Sequence, residues 1–288
     1  MNAFAALTRR NWRCYARDHG AVFFSLLGPL FIVVLYLLFL RKLNMQGSNI
    51  PGVAHLVDAW VAAGIVATAC LTTCLAGYSV MVRDRESRVS RDFAVAPASA
   101  AQVFGSYVAS SALIGTIMSA IALVASQVYV KAYGGPWFGF GPAAAMVGLI
   151  LLSVFSSAGL FGFIMSFIHT QAALTGVNVV TGIMSGFLVG SYIPPVVLPR
   201  GVLDFMSVLP CFHSAVLMRG VTMTRTLAHA FTGADGPRAR AQFNLDEGVS
   251  FRFAGHLVPS WVSIAWLAVS GLLGFGAMLL VLRHRRRR

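Results

Sequence analysis

The sequence predicts an all-α integral membrane protein with six transmembrane helices, an N-terminal amphipathic interfacial helix and a re-entrant hairpin after the fifth span. Three observations predict it. Hydrophobic residues make up 57% of the 288 positions and charged residues only 11%, proportions foreign to soluble domains. Uncharged runs recur at about the 20-residue length that a helix needs to cross a bilayer. Arginines cluster at alternate ends of these runs, as the positive-inside rule requires.

The elements follow in order within a single domain, 1–288. Residues 1–20 contain NAFAALTRRNWRCYARD. At about 100° per residue, Arg9, Arg10, Arg13 and Arg17 share one arc, while Phe4, Leu7, Trp12, Cys14 and Tyr15 take the other half. This pattern predicts a helix lying on the inner leaflet, with Trp12 and Tyr15 on its buried side. Ala21–Leu40 is the first span, and Gly28-Pro29 predicts a kink in its middle, because proline removes one backbone bond. Ala59–Val82 is the second span, with Asp58 at its end. Next comes the segment 83–103, which gathers seven charges, Arg83, Asp84, Arg85, Glu86, Arg88, Arg91 and Asp92, ahead of Phe93 and Pro97. The third, fourth and fifth spans are about Phe104–Val130, Pro142–Ile168 and Ala172–Gly190. The hinge His169-Thr170-Gln171 divides the last two, which together are too long for one helix. Residues 191–222 are apolar but broken by Pro194, Pro195, Pro199 and Pro210 into pieces too short to cross, the pattern of a re-entrant hairpin that also contains His213. Residues 223–258 are polar and predict an extracytoplasmic loop. Trp261–Leu282 is the sixth span, followed by the basic RHRRRR.

Placing both termini in the cytoplasm puts 13 arginines inside and leaves Arg41, Lys42 and Lys131 in the two short outer loops. The net charge of +13 therefore serves topology and attraction to anionic lipid, not nucleic acid. The first apolar run is a full-length span without an Ala-x-Ala exit, so no cleaved leader is expected. Cys70 and Cys74 share the second span with no histidine or carboxylate in its interior, and packing is the expected role; no metal site is expected.

Ionisable side chains at mid-membrane, which ion-coupled carriers place there at high cost, are missing from the six spans. Hydrolase motifs are missing too, so no catalytic residue is assigned. The fifth span instead carries Asn178, Gly182, Gly186 and Gly190 at four-residue spacing on one helical face. That face predicts close approach of a neighbouring helix, of a second copy, or the flexible wall of a path.

Three stretches in this order resemble the permease subunits of ABC-2 type exporters, over nearly the whole chain: RNWRCYARD before span one; YSVMVRDRESRVSRDFAVAPAS between spans two and three; and the pattern around Pro194, Pro199, Pro210, His213 and Arg219. The daunorubicin-type drug exporters are the nearer branch. The resemblance implies that Arg83 to Gln102 include the coupling helix that docks into a cytoplasmic ATPase. It also implies two permease copies, or one with a homologous permease, working with two ATPase subunits. The alternating charges of that stretch suit a recognised polar surface, and Phe93 would serve as its apolar anchor. The chain's two lysines, Lys42 and Lys131, lie outside any phosphate-binding Gly-x-x-x-x-Gly-Lys-Ser/Thr, so ATP and Mg are expected on the partner and no cofactor on this chain. The implied activity is outward movement of an amphipathic or hydrophobic substrate, a drug, lipid or peptide, across the inner (plasma) membrane. An exporter of polysaccharide or lipid-linked glycan is the alternative within the family; an ATP-independent carrier or channel is the alternative outside it.

Overall fold

A computed structural model describes residues 3–40, 51–95, 98–232 and 235–286. Pro97, Arg41, Lys42 and the last two arginines of RHRRRR lie outside the described residues. In chain order the helices are α1 (Ala3–Ala16), α2 (His19–Ser25), α3 (Leu27–Leu35), α4 (Val53–Gly77), α5 (Ser79–Glu86), α6 (Val89–Val95), α7 (Ala100–Ala132), α8 (Phe140–Met165) and α9 (Gln171–Leu188). They continue with α10 (Arg200–Val208), α11 (Pro210–Thr222), α12 (Thr224–Ala230), α13 (Gly236–Asp246) and α14 (Ser260–Arg286). A two-stranded antiparallel hairpin, β1 (Arg252–Phe253) and β2 (His256–Leu257), pairs Arg252 with Leu257 and Phe253 with His256.

Among the described residues, five helices are long and apolar enough to cross a membrane: α4 with α5, α7, α8, α9 and α14. Two bent pairs would raise the number to seven if each is one span. The five coincide with the expected second to sixth spans. The first expected span is the pair α2 and α3, bent by 44°.

That bend has a local cause. Pro29 has no backbone N–H, so the carbonyl of Ser25, four residues earlier, loses its helical partner. The Thr72 hydroxyl of α4 donates to this carbonyl at 3.0 Å, and the helix breaks at Leu26 beside it. A freed carbonyl at membrane depth needs such a donor, since lipid offers none. Gly28 lets the same turn lie against Thr72 and Thr68; a Cβ there would come within 3.3 Å of the Thr72 methyl.

The central member is α4, whose best apolar window is 94% buried against 17% for α9 and for α14. It is apolar around its whole circumference, as a helix enclosed by others must be. Close approach comes from small residues. A Cβ on Gly77 would lie 2.6 Å from the Ser111 Cα of α7, and the Ser111 hydroxyl donates to the Cys74 carbonyl at 2.6 Å. On the far side of the bundle α8 and α14 meet backbone to backbone: a Cβ on Gly159 would lie 2.4 Å from the Gly271 carbonyl oxygen. The tightest glycine contact between spans is therefore here, where no side chain intervenes, and not on the fifth span.

Between α9 and α14 the chain turns twice. α10 and α11 meet at 92° with Pro210 in the first turn of α11. The bend exposes the last carbonyls of α10, and His213 Nε2 donates to Ser207 O at 2.7 Å while Trp266 Nε1 donates to Val208 O at 2.9 Å. The other imidazole nitrogen accepts from Ser263 at 3.0 Å, which ties the bend to α14. Residues 223–258, expected as a loop, fold into α12, α13 and the β-hairpin. Their anchor is a buried polar cluster described below.

Candidate functional site

A groove of about 940 Å³ runs the length of α9. Its walls are the bent pair α2 and α3, one face of α4, and α9 itself. Phe24, Phe31, Phe187, Asn178, Gly182 and Tyr192 face into it. Mostly apolar, with a few polar groups and the carboxylate of Asp18 at one end, it matches the general character of small-molecule sites. The Ser25–Thr72 contact created by Pro29 lies in its wall, so the kink shapes the groove.

Asn178 and Gly182 of the column line this groove, while Gly190 lies against Arg219 of α11 and Met206 of α10. A Cβ on Gly182 would touch nothing within 4 Å, so that position opens onto the cavity beside Asn178. Gly186 is filled by the Tyr192 ring, whose atoms would lie 2.0–2.3 Å from an added Cβ. Gly190 corrects the expected register. It follows the end of α9 with φ 67°, a left-handed turn that favours glycine, and so it reverses the chain instead of forming a fourth rung. The Ser191 N–H returns to Gly186 O at 2.7 Å and the Gly190 N–H to Phe187 O at 2.8 Å, the bond pair of a Schellman ending. This reversal carries Tyr192 back over Gly186, where its ring meets Phe187 and Phe31 edge-on at 5.0 and 6.0 Å.

At the opposite end of the groove, the charged segment between α4 and α7 splits into two groups. Asp84 is buried. It accepts a two-pronged bond from Arg10 of α1, with the Nη2 to Oδ1 arm at 2.9 Å, and a third bond from the Tyr107 hydroxyl at 2.6 Å. The bond to Asp84 holds the Arg10 guanidinium above its ordinary pKa, against the smaller opposing effect of burial. Arg85 donates to Met165 O, the last carbonyl of α8, at 2.6 Å and to Ile168 O in the connection that follows at 2.9 Å. Glu86 accepts from the Gln171 N–H at 3.2 Å, in the first turn of α9. A cation at a helix C-terminus and an anion at an N-terminus both complement the helix dipole.

Three of the seven charges expected to form one docking surface thus tie α1, α5, α7, α8 and α9 to one another, Asp84 from a buried position and Glu86 from an exposed one. The alternating signs suggest an outward polar face, but an α-helix sends successive residues to different sides. Phe93 of α6 is also partnered: the Arg10 guanidinium lies 5.4 Å from its ring centre. Arg83 forms an exposed pair with Asp18 at 3.6 Å. Arg88, with φ 64°, and Asp92 are exposed, and Arg91 lies in α6.

In α1, Trp12 packs against the core and the buried Tyr15 hydroxyl bonds Ser25 at 2.8 Å, linking this helix to the bend. Arg10 departs from the polar arc expected of it. It turns inward beside buried Asn11, whose amide donates to Ser106 at 3.2 Å, because α1 packs on the start of α7 and not on lipid alone.

The profile of a family described as "ABC-2 family transporter protein" matches residues 54–280. The chain belongs to this family. No curated protein sequence matches it. As an ABC-2 family transporter it supplies a transmembrane transport domain; such domains generally work with ABC ATPase partners. The matched stretch runs from the first turn of α4 to the last turns of α14 and includes a buried polar cluster around Arg219, a residue of the resemblance pattern to which the sequence alone gives no role. Arg219 of α11 is fully buried. It donates to Val189 O at 3.0 Å and Gly190 O at 2.6 Å, and its guanidinium lies 4.7 Å from the Trp60 ring centre. Trp60 in turn donates to the Glu247 carbonyl at 2.7 Å. Burial pushes the Glu247 carboxyl up from its ordinary pKa, opposed by the Arg219 charge. The signal was present in the sequence: Arg219 is the lone charge between Asp204 and Arg225, in a stretch that is otherwise apolar.

Proposed function

We propose that this chain is the permease subunit of an ATP-driven exporter, and that the groove beside α9 is its half of the transport path. The observation that carries this reading is the groove itself. It extends from Asp18 and Gln171 at the α1 face to Tyr192 and Ile193 at the other, and α9 is held by a polar tie at each end, from Glu86 of α5 and from Arg219 of α11. A cavity open along one side is completed by a second permease, either another copy or a homologue, bringing its own groove. The lining of phenylalanines with Asn178, Thr175 and Thr72 fits an amphipathic or hydrophobic substrate, a drug, lipid or peptide, better than a long polar glycan.

The face carrying α1 is assigned to the cytoplasm of the inner membrane by its arginines, with both termini on that side. ATP and Mg belong to a separate ATPase. Its docking surface on this chain is α6 with the exposed face of α1. Among the described residues, the charges exposed there are Arg9, Arg13, Arg17 and Arg88 against Asp92, so the receiving cleft of the ATPase is acidic. Asp84 and Glu86 act one step behind that surface. They pass its displacement to α1, α7 and α9.

The test is reconstitution with the candidate ATPase in proteoliposomes. ATP turnover should require the partner, and an amphipathic dye should move only when both proteins and ATP are present. Dye movement down its gradient by this chain alone, without ATP, would favour the channel reading and sink this one.

A further inference from the structure

We propose that Tyr192 is the barrier closing the far end of the groove and that Arg219 is the positioning residue that holds it shut. Three observations meet at one turn. The Tyr192 ring fits the space left by the absent side chain of Gly186, boxed by Phe31 and Phe187. It is carried there by the Gly190 reversal, φ 67°. Arg219 grips both carbonyls at that reversal, Val189 O and Gly190 O.

The grip is well made. The guanidinium sits at the C-terminal end of α9, where a cation is favoured by the helix dipole. Trp60 covers its face, and a third donor points to Gly248 O at 3.4 Å. From beneath, Ser191 seats on α4 where a Cβ on Gly64 would lie 2.1 Å from its hydroxyl oxygen. Arg219 therefore joins the wall of the groove, through α11 and the Glu247–Gly248 turn, to the folded segment outside. Withdrawing the Tyr192 backbone from Gly186 rotates the Gly190 turn, and that rotation breaks or carries along the two bonds that Arg219 makes to it. Opening by this movement therefore involves Arg219.

This inference rests on the groove being the path, but its test does not use transport. Asn178→Cys places a thiol in the groove below Tyr192. In oriented proteoliposomes, a membrane-impermeant maleimide is applied to the face bearing α10 and α11, and labelling is timed with the unmutated chain as background. The thiol should label slowly. Tyr192→Ala should speed labelling, and Arg219→Gln should do so by about tenfold, the shift a two-state equilibrium shows when one charge-assisted hydrogen bond is lost. Tyr192→Phe keeps the ring and should label at the parent rate. Phe212→Ala, which opens a void in the neighbouring packing of α11 without removing a hydrogen-bond donor to the turn, should also stay at the parent rate. Fast labelling with both residues intact, no acceleration in Tyr192→Ala, or equal acceleration in Phe212→Ala would each overturn the proposal. Export assays on the unmutated chain report separately on the path, so the two failures are distinguishable.

Discussion

Replacing Arg10 by methionine removes the partner of a carboxylate that cannot easily be re-solvated. The Asp84 side chain is 4% exposed and that of Arg10 is 35% exposed. Breaking a fully buried pair costs about 3–5 kcal/mol because a charge stays behind unpaired; the exposure of Arg10 and the remaining Tyr107 bond lower this to about 2–3 kcal/mol. At about 2–4 °C per kcal/mol for chains of this size, Arg10→Met should lower the melting midpoint in detergent by about 5–10 °C. Asp84→Asn should cost less, since neutral asparagine can still accept from Tyr107. The assay is a double-mutant cycle on Arg10→Met and Asp84→Asn, read by thermal melting of the purified chain. A coupling energy of about 1–2 kcal/mol is expected for groups in direct contact. Additive losses, or a parent-like midpoint in Arg10→Met, would refute the claim that this pair joins α1 to α5.

Other outcomes follow from the same geometry. Asp84→Lys should abolish folded protein by setting an ammonium beside Arg10 in a buried site, whereas Glu86→Gln should fold and lose only the charge at the start of α9; yield and monodispersity on size exclusion check both. Gly182→Ala faces open space and should hold or raise the melting midpoint, by up to about 1 kcal/mol of helix propensity. Gly186→Ala must displace the Tyr192 ring, and crowding of this kind costs about 1–3 kcal/mol; fluorescence quenching of the tyrosine by a groove-bound probe should change in this variant and not in the other. Gly159→Ala pushes against the Gly271 carbonyl, which cannot swing aside as a side chain would, and should lower the midpoint more than Gly182→Ala does.

Span positions were legible because lipid imposes a length and a composition that no partner can relax. The kink was legible for the same kind of reason: Pro29 lacks an N–H wherever it is placed. The donor that answers it, Thr72, was not, since its identity depends on how α4 packs against α2. The four-residue spacing on α9 marks a face without bulky side chains, but it does not show that Tyr192 fills the Gly186 position, brought back by a turn whose left-handed Gly190 looks like one more rung in one dimension. The charged segment failed in the opposite sense. Sign alternation along the chain says nothing of direction around a helix, and Asp84 and Arg85, adjacent in sequence, reach α1 and the end of α8 respectively.

The helices bounding the groove are fastened chiefly at their ends, and this constrains how it can change shape. Along its length α9 is sparsely covered, with an apolar window only 17% buried. Its first turn is held by Glu86 and by the Gln171 amide on Ser79 O at 3.3 Å, its last by Arg219. The facing wall is fastened through Ser25, which receives Thr72 at its carbonyl and Tyr15 at its hydroxyl. A push on α6 or α1 therefore reaches α9 through Glu86 and the bend through Tyr15, two short polar routes that start on the same face. Such a frame favours tilting of whole helices about their fastened ends over bending within them, because the apolar middle offers neither polar ties to break nor a proline to flex. Among the walls of the groove, the proline-bent pair α2 and α3 is the exception, and it lies opposite Tyr192.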